Sequence, residues 1–116
     1  MEENDFISKF GFIANIQYKS QIIDILNEEI DTYNKAQGNR EANLLRLCCI
    51  NLFSYKNLSD VKLIWTAKML SQDSSGIIDI QFLCGAGLTE TKNFLETQSD
   101  DWAIKALTYI TFKIML

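Results

Sequence analysis

The chain has 116 residues, 47% apolar and 22% charged, with five glycines, no proline, no histidine and a net charge of −4. That balance excludes a disordered segment and fits one domain, residues 1–116, with its own core. The missing histidine excludes Ser-His-Asp and Cys-His catalysis and most catalytic zinc sites, and the lack of a basic cluster argues against nucleic-acid binding.

No apolar run approaches the ~18 residues that would span a membrane. The opening MEENDFISKF is acidic and lacks the basic region of a secretory leader, so the expected location is cytoplasmic, without a membrane partner. Charge is uneven. Residues 1–31 hold seven acids (Glu2, Glu3, Asp5, Asp24, Glu28, Glu29, Asp31) against Lys9 and Lys19, a net of −5, and the remainder is near neutral.

In chain order, Phe6, Ile7, Phe10, Ile13 and Ala14 have helical spacing, with Gly11 as a weak point. Ser20 is the expected N-cap of a second helix. Its apolar stripe is Ile22, Ile23, Leu26, Ile30 and Tyr33, and Asp24, Glu28 and Asp31 lie on the opposite side. Gly38 closes it, and Asn39 is a cap for the next. Residues 40–54, REANLLRLCCINLFS, are apolar on more than one face and belong at the centre.

Asn57 or Ser59 would cap a fourth helix over 60–71, which carries Val61, Ile64, Trp65, Lys68 and Met69. SQDSSG at 71–76 reads as a loop. The run IIDIQFL at 77–83 alternates briefly as a strand would. It has no second strand to pair with, so a short helix ended by Gly85 or Gly87 is expected. Thr89 or Thr91 opens a further helix. Ser99, followed by Asp100 and Asp101, opens a last one carrying Trp102, Ala103, Leu107, Ile110 and Ile114 and staying apolar to Leu116.

The fold class is therefore all-α. Six or seven short helices stack as helical hairpins, either as an irregular bundle or as an ankyrin- or HEAT-like solenoid.

The chemistry-bearing residues are few. Cys48, Cys49 and Cys84 read as reduced, mostly buried thiols, and without paired C-x-x-C spacing no metal site is expected. Gly85-Ala86-Gly87 lacks the third glycine of a dinucleotide fingerprint and the Lys-Ser/Thr of a phosphate loop, so it reads as a structural corner. No cofactor is expected. Three surfaces remain for recognition: the acidic face Asp24, Glu28 and Asp31; Trp65 with Lys68; and Asp79 with Gln81 beside the corner. Each has a plainer reading, as a solvated face, a packed tryptophan and a capping carboxylate.

Over residues 60–95 the chain resembles a group of small, largely uncharacterised bacterial helical proteins. Their pattern is Trp-x-Ala-Lys, a short Ser/Asp/Gly loop, Ile-Asp-x-Gln, then Leu-Cys-Gly-Ala-Gly-Leu-x-x-Thr-Lys, here Trp65 to Lys92. The resemblance implies a compact helical protein and carries over no catalytic residue. Size, charge and class together suggest an immunity protein, a non-enzymatic module that neutralises one protein partner, a basic toxin domain, through its acidic surface. The alternative is a small-ligand-binding regulator or small enzyme with a site near Asp79–Gly87.

Overall fold

A computed structural model describes residues 1–114, and these form seven α-helices with short 3-10 turns between them and no strand. Helix α1 (Glu3–Phe10) starts on a reciprocal capping box between Glu2 and Asp5 and buries Phe6. It stops at Gly11, whose φ of +80° leaves the helical region. The helical stripe expected to run on through Ile13 and Ala14 is therefore cut. Ile13 is exposed, and Ala14 is buried as part of a loop.

Buried Asn51 holds that loop. Its Oδ1 accepts from the Ala14 N–H at 2.7 Å, and its Nδ2 donates to the Phe12 and Leu47 carbonyls. Tyr55 adds a hydrogen bond to the Ala14 carbonyl at 2.8 Å.

Asn15 caps a 3-10 turn at Ile16–Tyr18 that runs directly into α2 (Lys19–Lys35), so Ser20 lies within the first turn and caps nothing. Helix α2 buries Ile22, Leu26 and Tyr33 as its spacing predicts, and Ile23 and Ile30 are half-buried. After the Gly38 turn, α3 (Asn43–Ser54) begins later than expected, with Ala42 rather than Asn39 at its N-cap position. Helix α3 buries Leu44, Leu45, Leu47, both cysteines, Asn51 and Leu52. It packs against α1, α2, α4, α5 and the turn at 80–84, which makes it the centre of the molecule. A single helix touching so many others makes an irregular bundle, since solenoid elements meet mainly their neighbours.

Asn57 caps a second 3-10 turn, Leu58–Asp60, before α4 (Val61–Lys68). The expected loop at 71–76 is instead a helix, α5 (Gln72–Ile77). Ser71 and Ser74 cap it reciprocally: each backbone N–H donates to the other's hydroxyl at 3.0 Å. Serines that look like loop residues in the sequence here make the cap that starts a helix.

Ile80–Cys84 is a 3-10 turn, neither strand nor α-helix. Helix α6 (Leu88–Thr97) follows Gly87, so neither Thr89 nor Thr91 is its cap; Thr91 is fully buried, reaching towards the Leu83 carbonyl. Helix α7 (Asp101–Lys113) has Asp100, not Ser99, at its N-cap position and buries Ala103, Ala106 and Ile110. The last two apolar residues, 115 and 116, lie outside the described residues.

Candidate binding surfaces

On α2 the predicted acidic residues Asp24, Glu28 and Asp31 are all exposed on one face, and Asp31 pairs with Lys35 at 2.9 Å. Glu29, another of the seven acids of residues 1–31, points inward and is 4% exposed. There it grips Arg40 with both oxygens, at 2.6 Å to Nε and 2.9 Å to Nη2. Arg40 also reaches Glu2 at 3.2 Å and the Met1 carbonyl at 2.8 Å, which ties α1 to the α2–α3 turn. The hydrogen bond to Glu29 holds the guanidinium above its ordinary range.

Lys19 makes a single charge contact, 2.8 Å from the buried Asp60 carboxylate, without a hydrogen bond. So Arg40 and Lys19 are turned towards internal carboxylates, while Lys35 stays at the surface beside Asp31. The outer face of α2 keeps its negative charge with only an exposed Asp31–Lys35 pair against it, an arrangement worth little in water.

Trp65 and Lys68 do not form a surface pair. Trp65 is 6% exposed and packs edge-on against Tyr109, with ring centroids 5.9 Å apart. Lys68 is 2% exposed, so the expectation that it contacts a partner is corrected. Its ammonium donates to the carbonyls of Ser75 and Ile78, both at 2.6 Å, and lies 5.1 Å from the Tyr109 ring centroid. Its own carbonyl accepts from the Ser74 hydroxyl at 2.9 Å. Lys68 thus clips the end of α5 and the Ile78 backbone onto α4. Sequence showed a lysine one turn after a tryptophan. It gave no sign of the carbonyl cage, which needs α5 to exist.

Asp79 accepts the Gln81 N–H at 2.8 Å and starts the 3-10 turn, while Gln81 itself is exposed. Both line an open cleft of about 350 Å3 with Lys68, Ser75 and Lys113. Asp79 serves as the cap, and Lys68 is held by the two carbonyls. The two glycines of the corner divide their work. At Gly85 a Cβ would meet the Phe53 backbone, at 3.2 Å from its carbonyl carbon and closer still to its oxygen, so this glycine lets the corner lie directly on α3. Gly87 has φ +108°, a conformation open to glycine, and turns the chain into α6.

Cys48 and Cys49 are fully buried. Burial, with the negative charge of Glu29 second, pushes the Cys48 thiol up to about 12, and burial raises Cys49 as well. Cys84 is partly buried and also raised by burial, against a lowering hydrogen bond from Thr91. A thiol held in the neutral form is a poor nucleophile. Among the described residues no cluster of three or more His, Cys, Asp or Glu side chains could hold a metal ion, and no helix is long and apolar enough to cross a membrane.

The sequence reading missed one surface. Trp65 and Met69 on α4 and Ile104, Tyr109 and Phe112 on α7 line an open groove of about 390 Å3, edged by Lys105 and Lys113. Ile104 and Phe112 are 56% and 66% exposed. They lie eight residues apart on the side of α7 away from its buried stripe. The signal was present, because α7 is apolar around more of its circumference than one buried face requires.

No family model, curated protein or solved structure matches this chain.

Proposed function

We propose that this protein is a non-enzymatic binding module of the immunity type, which covers a basic protein partner, most concretely a toxin domain, with its acidic surface. The observation that carries this reading is the outer face of α2. Asp24, Glu28 and Asp31 stand in solvent, while Arg40 and Lys19 are drawn to the buried carboxylates Glu29 and Asp60. A rigid helix bearing three exposed carboxylates against the single exposed Lys35 attracts a basic surface at long range and fixes its register at short range. The raised thiols, the absence of histidine and the engaged polar groups of the Asp79–Gly87 corner all fit a protein without a catalytic centre. The resemblance over residues 60–95 points to the same class of small helical protein.

The test begins with the tagged protein recovered from its native cells at low and at high salt. One stoichiometric basic partner, bound more weakly at high salt, is expected. Reversing Asp24, Glu28 and Asp31 to lysine should slow association by at least about tenfold and flatten its salt dependence. An affinity unchanged by the triple reversal would remove α2 from the interface, and a partner of acidic character would overturn the reading.

A further inference from the structure

The groove between α4 and α7 is a second recognition surface, chemically opposite to the first. Its floor is apolar: Trp65, Met69, Ile104, Tyr109 and Phe112. Thr108, also in its lining, donates its hydroxyl to the Ile104 carbonyl at 2.9 Å, so that polar group is already engaged. The ionisable groups at its edge are both cations. Lys113 lies 5.7 Å from the Tyr109 ring centroid, and Lys105 pairs with Asp101 at 3.0 Å with both side chains more than two-thirds exposed. Such a pair is weak and easily exchanged for another carboxylate.

Exposed apolar side chains grouped in one groove with charged edges mark an interaction site. The groove is open to solvent, which suits a helix laid into it by its apolar stripe. Lys113 and Lys105 at its edges suit an occupant that carries carboxylates beside its apolar stripe. We infer that the α4–α7 groove binds an amphipathic helical segment of a partner protein whose apolar stripe is flanked by carboxylates. This site is independent of the α2 face, since α2 packs on α3 while α7 packs on α6, α4 and the 80–84 turn.

The probe is a synthetic amphipathic helix of about four turns with leucines at i, i+3, i+4 and i+7 and glutamates flanking them. A control carries the same leucines flanked by lysines, and both peptides are titrated into protein neutralised on α2 (Asp24→Asn, Glu28→Gln, Asp31→Asn), so that the acidic face does not recruit the basic control. Titration followed by Trp65 fluorescence and by calorimetry should show the glutamate peptide binding at least about tenfold more tightly than the control. Ile104→Ser with Phe112→Ser should weaken it by at least about tenfold, and because both residues are exposed the fold should be unchanged by circular dichroism.

A second variant, Lys105→Glu with Lys113→Glu, keeps the apolar floor and should reverse the preference between the two peptides. Equal affinity for both peptides, or none for either, overturns the proposal. A concentration-dependent dimer abolished by Phe112→Ser overturns it in favour of a second copy. Binding to anionic phospholipid vesicles without peptide binding overturns it in favour of a membrane surface. None of these outcomes bears on the α2 reading, which fails only by the triple reversal or by an acidic partner.

Discussion

The cations drawn inward show how differently the two halves of this molecule handle charge. Before residue 60, Arg40 is held by a carboxylate, Glu29, in two-pronged contact, and Lys19 is held by Asp60. After residue 60, Lys68 is enclosed by backbone carbonyls and an aromatic ring, with no carboxylate in salt-bridge contact among the described residues. The first arrangement cancels charge inside and leaves surplus carboxylates outside. The second satisfies hydrogen bonds and leaves outside the two lysines that edge an apolar groove. Interior pairing thus decides what the surface has left to offer, and the two surfaces come out acidic and apolar-cationic.

Removing one partner from each arrangement breaks the comparison most directly. Glu29→Ala removes the two-pronged partner of a guanidinium that is about four-fifths buried, leaving it only Glu2 and the Met1 carbonyl, and should cost about 3 kcal/mol, read as the fall in unfolding free energy in urea. Gly85→Ala, which drives a Cβ into the Phe53 backbone, should cost about 2 kcal/mol or shift the corner, visible as changed amide resonances near Phe53. Lys68→Met is expected to cost less than either, about 1 kcal/mol. It orphans two carbonyls but also removes a charge from the interior, while methionine keeps the packed stem. A cost for Lys68→Met as large as that of Glu29→Ala would mean that the carbonyl cage is as strong as a carboxylate.

Gly76→Ala sharpens the contrast with Gly85. It sits in α5, where a Cβ meets nothing within 4 Å, and should raise stability by about 0.5 kcal/mol. The smallest effect is expected at the acidic face itself. The triple reversal of Asp24, Glu28 and Asp31 should change stability by less than about 0.5 kcal/mol, because all three are solvated.

The pH response follows from Cys48. Its folded value, pushed up to about 12, lies above the ordinary 9.0. The stability it contributes is fully present below pH 9 and is lost as pH rises towards 12. Urea midpoints across that window should fall more steeply for the native protein than for Cys48→Ala, which removes the titration without overfilling the buried site.

Several features were legible because they depend on residues near in sequence. The breadth of apolar positions from Leu44 to Leu52 placed α3 at the centre, and Ile22, Leu26 and Tyr33 are buried where a 3.6-residue period puts them. Exposure of Asp24, Glu28 and Asp31 followed from the same period. The Gly85–Gly87 corner was legible as a corner, though not the division between a close backbone contact at one glycine and a positive φ at the other. The misreadings share a cause. Ser71 and Ser74 look like loop residues until each meets the other's backbone, Glu29 looks like surface until Arg40 arrives from eleven residues on, and Lys68 looks solvated until α5 folds over it.

By itself the sequence determined the all-α class, the central helix, the acidic outer face of α2 and the absence of histidine chemistry, because periodicity and composition act within one helix or need no folding at all. The tertiary structure decided which charges are internal, that Trp65 and Lys68 face inward and that Ile104 and Phe112 are left at the edge of a groove. Those outcomes depend on partners brought together across the chain, and a residue's burial is set by what packs over it as much as by its own chemistry.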